Sequence, residues 1–135
     1  MRYFKAPTNG DIVWCLFPES LGKPGPKPRP ALIIEMGADS KNKPVVTVVY
    51  GTSKKLDQLY PSEFKIEKAD GASFSLSGLA AETKFDFNHR VKLPYCSTWF
   101  GSAPGQPYVN QPKLGVLAPN LVARAKQAFD NSSKV

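Results

Sequence analysis

Short β-rich runs separated by turn formers set the strongest limit on what this chain can fold into. "GDIVWCLF" (Gly10 to Phe17) is mostly apolar, "ALIIEM" (Ala31 to Met36) follows a proline-rich segment, and "VVTVVYG" (Val45 to Gly51) is dense in β-branched side chains. Branched residues pack well on a pleated surface, so each run is read as a strand. "EFKIEK" alternates apolar and charged residues, as a half-exposed strand does. "TKFDFNHRVKLPY" (Thr83 to Tyr95) places Phe85, Phe87, Val91 and Leu93 at its apolar positions and reads as one strand or two, broken near Asn88. "ADSKNKP", "KADGASFSLSG" and "GSAPGQPYVNQP" (Gly101 to Pro112) are polar or rich in Gly, Pro and Asn, and read as loops and turns. "KLGVL" is a further short strand.

Only the C-terminal part carries a helical period. Pro119 suits a first helical turn, and Leu121, Val122, Ala125 and Phe129 fall on one face of the helix that continues from it. Five to seven short strands with one terminal helix predict a small, strongly bent antiparallel barrel or sandwich. The 135 residues fit one domain, and no internal repeat is visible. No apolar stretch approaches the roughly 20 residues a membrane helix needs. "MRYFKAPTNGD" lacks the apolar core of a secretion signal, so a soluble, cytosolic protein is expected. In that compartment Cys15 and Cys96 are expected as free, buried thiols. With one histidine and no closely spaced cysteine pair, no metal site is expected.

Lysine and arginine number 18 against 11 acids, a formal charge of +7. Such an excess favours a polyanionic partner, nucleic acid first, although it also serves solubility alone. The catalytic inventory is narrow. There is no Gly-x-Ser-x-Gly elbow and no Gly-x-x-x-x-Gly-Lys phosphate loop. A single histidine rules out a nuclease that uses two histidines as acid and base, and His89, beside Asn88 and Arg90, is read as a structural or exposed histidine near a strand bend. The acids are scattered singly, whereas a two-metal nuclease needs converging carboxylates.

What remains is cationic and hydroxylic. Arg29 is wedged between Pro28 and Pro30 at the mouth of a strand, and Thr52, Ser53, Lys54 and Lys55 stand at the exit of another in "YGTSKK". If these strands are neighbours, the guanidinium and the hydroxyls meet at one end of the sheet. A guanidinium presents a rigid fork of donors that matches phosphate oxygens and suits stabilisation of a pentavalent phosphorane. The plainer readings stand beside this one: a surface arginine next to a proline-rich turn, and a polar strand end.

"GDIVWCLFPE", a Pro/Gly/Lys-rich loop, "RPALII", "VVYGTSK", "SGLAAETKFDF" and "LGVLAPNLVARAKQAF" occur in an order that resembles the MazF/PemK toxins of type II toxin–antitoxin systems, most closely the PemK-like branch. The resemblance covers about residues 9–130 of a single domain spanning 1–135. It implies a mainly β fold, an SH3-like antiparallel barrel of the CcdB/PemK type with a C-terminal α-helix. It implies a homodimeric, cofactor-free endoribonuclease that cleaves single-stranded RNA without metal. In that chemistry the 2′-hydroxyl attacks the phosphate and leaves a 2′,3′-cyclic phosphate and a 5′-hydroxyl. A cognate antitoxin would occlude the RNA groove, in the cytoplasm of a bacterium and with a plasmid- or phage-borne origin open.

Carried over by residue, Arg29 matches the family's catalytic arginine and Thr52 its catalytic threonine or serine, with Ser53 as a neighbour. Lys23, Lys27 and Lys54 are expected as phosphate contacts from position and charge alone. Trp14 is expected either to stack a base or to serve the core. Gly101 to Pro112 is longer and richer in Pro and Gly than the family pattern. Two rivals share the fold: a CcdB-like poison of gyrase, and a non-catalytic RNA- or protein-binding module.

Overall fold

The computed structural model describes residues 1–19, 22–102 and 111–132. Its strands are β1 (Asp11–Cys15), β2 (Arg29–Ala38), β3 (Pro44–Thr52), β4 (Glu63–Ile66), β5 (Thr83–Pro94) and β6 (Lys113–Val116). They form one antiparallel sheet in the order β4-β5-β3-β2-β1-β6, curled as a half-barrel. Two helices accompany it, α1 (Ala72–Ser77) and α2 (Val122–Asp130). The curl has a local cause. Register shifts fall at Ile12/Val13 against β6, Ile33/Glu35 against β3, and Val49/Tyr50 against β5. Extra residues in one strand of a pair bend it and increase its twist.

Both faces of the sheet are covered, which is why the central strands are almost continuously apolar rather than alternating. On one face Ile12, Leu32, Val49, Phe64 and Phe85 pack with Leu121, Ala125 and Ala128 at the C-terminal helix. On the other, Val13, Ala31, Ile33, Val48, Leu93 and Phe100 are closed over by Phe4 and Tyr95. The N-terminal segment reaches this second face because Tyr3 bridges to Cys96, and the Phe4 N–H donates to Tyr95 O at 3.0 Å. Both cysteines are free and buried.

The helical face differs from the sequence expectation. Leu121 and Ala125 are buried, but Val122 is 49% exposed and Ala128 takes the inward position. The residues Pro119–Leu121 form a 3₁₀ turn, and α2 starts only at Val122, which rotates the face. Phe129 lies at its margin, edge-on to Phe87 at 5.6 Å.

A second difference concerns "KADGASFSLSG". It holds a 3₁₀ turn at Lys68–Asp70 and all of α1. No apolar period marks so short a helix. It is held by tertiary contacts: Ser73 Oγ donates to Asn120 Oδ1 at 2.7 Å, and Gly115 of β6 lies so close to Leu76 and Ser77 that a Cβ there would collide with the helix backbone. Residues 103–110 of the expected Gly101–Pro112 loop lie outside the described residues.

Arg124 of α2 clamps the turn before α1. Its Nη1 and Nη2 each lie 3.0 Å from an oxygen of Asp70, and Nη1 also donates to Lys65 O at 2.9 Å. The guanidinium hydrogen bond, with the Glu67 N–H, holds the Asp70 carboxyl below its ordinary value of 3.8. A lowered folded-state value stabilises the protein above the unfolded pKa, and that stability is lost as pH falls through the folded one. Asp70→Asn is expected to destabilise by about 1 kcal/mol at pH 7, since the 43% exposure of Arg124 lets solvent screen the pair. Denaturation midpoints of wild type and variant should converge as pH falls through the folded-state range of Asp70, below the ordinary carboxylate value. A second expectation concerns Gly51, where a Cβ would come within 2.7 Å of Pro30 O and 2.8 Å of Phe85 Cε1. Gly51→Ala should cost about 1–3 kcal/mol in chemical denaturation.

A candidate active site

The site begins with two strand ends. β2 starts at Arg29 and β3 finishes at Thr52. The β2–β3 register ends with Ala31 against Tyr50, and Arg29 and Thr52 each lie two residues beyond that pair. On its other side Arg29 pairs with Cys15 of β1. The prolines around Arg29 fix φ at Pro28 and Pro30 and bias the residue before each toward extended backbone. The preceding segment is not free either, since Gly25 is buried and its N–H donates to Leu16 O at 3.1 Å.

These ends open into a cleft of about 320 Å³. Trp14, Arg29, Thr52 and Ser53 line it together, so three stretches distant in sequence share one concavity. The remaining wall comes from Pro28, Pro30, Gly51, the Gly78–Ala81 link, Thr83 and Leu114. Most of these residues fall within the quoted motifs, but none is read from sequence as part of the site, because they are mostly small or apolar and contribute shape rather than chemistry. Trp14 is half-buried, so its ring is neither wholly core nor wholly free. Lys23, Lys27 and Lys54 are exposed and stand outside the cleft lining.

Local bonds orient the key groups. The Lys54 N–H donates to Thr52 Oγ1 at 3.2 Å, a hydroxyl-capped turn that leaves the hydroxyl proton available to a ligand. The same turn then puts Lys55 at φ +55°, the left-handed region. Arg29 Nη2 lies 3.9 Å from Glu19 Oε1, and its guanidinium stands 5.9 Å from the centre of the Tyr50 ring. The Arg29 side chain is 29% exposed, so it remains reachable from solvent.

The neighbouring groups narrow the chemistry. Burial pushes the Cys15 thiol up, away from the thiolate a nucleophile needs. Lys84, opposite Thr52 on β5, is buried against Glu63 at 3.2 Å and donates to Gln58 O at 2.8 Å, so its charge is satisfied internally. Among the described residues, no three His, Cys, Asp or Glu side chains converge as metal ligands. Among the same residues, no helix is long and apolar enough to cross a membrane. The cleft therefore offers the Arg29 guanidinium, the Thr52 and Ser53 hydroxyls and an aromatic wall, with the Thr83 hydroxyl donating to Ala81 O, a set suited to holding a phosphodiester.

Residues 8–86 match the model of the PemK-like, MazF-like toxins of type II toxin–antitoxin systems. No curated protein matches the sequence. Two solved structures share the fold. One is an endoribonuclease in complex with its cognate antitoxin from a mycobacterial species, 17% identical, with 93% of each chain covered and a TM-score of 0.58. The other is an endoribonuclease from a mycobacterial species, 15% identical, covering 96% of this chain and 92% of that one, with a TM-score of 0.54.

Glu19 competes with any anion for Arg29. Glu19→Gln is expected to tighten binding of a polyanion such as heparin by about twofold to fivefold at low salt, the scale of a partly exposed ion pair. Titration by fluorescence anisotropy at two salt concentrations would check this, and the gain should shrink as salt rises.

Proposed function

The chain belongs to the PemK-like, MazF-like toxins of type II toxin–antitoxin systems, and from that premise we propose that its cleft is an endoribonuclease site for single-stranded RNA. One observation carries the proposal: Arg29 and the Thr52–Ser53 hydroxyls, placed at the ends of neighbouring strands, line the same cleft. A scissile phosphate seated there would displace Glu19 from Arg29. The ribose 2′-hydroxyl attacks the phosphorus, the bond to the 5′-oxygen breaks, and the products are a 2′,3′-cyclic phosphate and a 5′-hydroxyl.

Negative charge builds on the non-bridging oxygens during this step. Arg29 meets it with a preorganised fork of donors, and Thr52 adds a hydroxyl donor, with Ser53 beside it. A guanidinium holds its proton across the working pH range and is a poor proton acceptor, so charge stabilisation is its role. Trp14 offers a ring face to a neighbouring base. Lys23, Lys27 and Lys54, exposed around the cleft, follow the flanking phosphates without reading sequence.

The finer parts of the reading concern assembly. The chain works as a single toxin domain and as a homodimer in the bacterial cytoplasm. A cognate antitoxin holds it inactive by covering the cleft. The solved relative in complex with its antitoxin supports that partnership.

Purified protein is expected to cut single-stranded RNA in the presence of EDTA. Arg29→Ala should lower the cleavage rate by about a hundredfold or more, the scale of losing one transition-state donor, with circular dichroism unchanged. Thr52→Ala should lower it by a smaller factor. An Arg29→Ala protein that cuts like wild type would overturn the assignment.

A further inference from the structure

Transfer from a 2′-hydroxyl needs a proton acceptor, and the cleft itself supplies none. Among the described residues, no carboxylate or imidazole lines it, and a guanidinium does not serve. The neighbouring strand does supply one. Along β3–β5, Tyr50 pairs with Asp86 but Val49 pairs with Arg90, so Phe87, Asn88 and His89 bulge out of register. Bulges re-aim side chains, often beside active sites. Here the bulge turns His89 edge-on to the Tyr50 ring, with centroids 6.0 Å apart. Its Nδ1 lies 3.5 Å from Asp86 Oδ2. The Arg29 guanidinium stands over the same tyrosine ring, so imidazole and guanidinium are no more than about 12 Å apart.

We propose that His89, positioned by Asp86, is the proton acceptor for the ribose 2′-hydroxyl. The proposal rests on the endoribonuclease reading and deepens it. A groove of about 580 Å³ runs past His89, lined also by Phe17, Glu19, Asn88 and Trp99. It meets the cleft at the Glu19–Arg29 ion pair. An RNA strand laid from groove to cleft passes both His89 and Arg29.

Asp86 is itself fixed, since its Oδ1 accepts from Ser62 Oγ and from the Asn88 N–H, each at 2.9 Å. The carboxylate holds the Nδ1–H tautomer, which leaves the Nε2 lone pair as the acceptor. Nε2 takes the 2′-hydroxyl proton as O2′ bonds to phosphorus and the bond to O5′ breaks. The departing O5′ takes a proton from water, and the imidazolium proton neutralises the resulting hydroxide. The charged or titratable groups around His89 among the described residues are Asp86 and Lys92 on its own strand, Tyr50 on β3, Arg29 across that ring and Glu19 in the β1–β2 connection. Arg90 follows in the chain, with its guanidinium 5.4 Å from the centre of the Phe129 ring.

The test is kcat/KM of the full chain on a short single-stranded RNA in EDTA, from pH 5 to 9. Wild-type activity should fall toward the acid end of that range, as the proton acceptor becomes filled. His89→Gln should lose about a hundredfold at neutral pH and the acid limb with it. His89→Ala should regain activity with added imidazole, which a merely structural histidine would not. Asp86→Asn should lower the rate by a smaller factor than His89→Gln and keep the acid limb, because the imidazole is still present but no longer held by the carboxylate. His89→Gln with an unchanged rate and limb would overturn the assignment, as would a limb lost only in Glu19→Gln. RNA left uncut by wild type would overturn the endoribonuclease reading as well.

Discussion

The site depends on how closely β3 passes β2 where Gly51 meets Pro30. No side chain larger than hydrogen fits between Pro30 O and the Phe85 ring at Gly51. That approach keeps the strand ends together past the last β2–β3 pair, Ala31 with Tyr50, so that Arg29 and Thr52 line one cleft. It also explains a pairing of residue types that looks unfavourable in isolation, a proline and a glycine facing each other inside a sheet. Pro30 gives up an N–H, but it is the second residue of its strand, where that loss is tolerated. The gain is a guanidinium with a restricted backbone beside a hydroxyl with a restricted turn.

Electrostatics around this junction sort the charges by task. Buried or clamped ions are used structurally: Lys84 with Glu63, Lys113 with Asp11, Arg124 with Asp70. Arg29 differs, since its partner Glu19 is exposed and 3.9 Å away. A weak, screened pair is easily exchanged for a phosphate. An excess of seven positive charges over the chain then raises the local concentration of a polyanion near a cleft that has a single well-placed guanidinium.

Much of this was legible in the sequence, for identifiable reasons. β-branched density marked β2 and β3, and the resemblance matched Arg29 and Thr52, with Ser53 as a neighbour, while Trp14 stayed open between base stacking and the core; these four residues line one cleft. The lysines were placed by charge alone, and they stand outside the cleft lining. The short helix α1 was missed because contacts with β6 and Asn120, not an apolar period, hold it. The α2 face was misjudged at Val122 and Ala128 because a 3₁₀ turn shifts its phase. The break foreseen near Asn88 is real as a bulge within one strand. Its consequence, His89 against Tyr50 and Asp86, needed the register across β3 and β5, which local sequence does not carry.

The central claim is that this cleft directs a ribose 2′-hydroxyl onto a phosphate held by Arg29. End-group analysis of RNA cut by the purified protein in EDTA tests it most directly. The account predicts fragments with a 2′,3′-cyclic phosphate and a 5′-hydroxyl, the latter accepting label from a polynucleotide kinase without prior dephosphorylation. Fragments carrying a 5′-phosphate and a free 3′-hydroxyl would contradict it, because water rather than the 2′-oxygen would then have attacked.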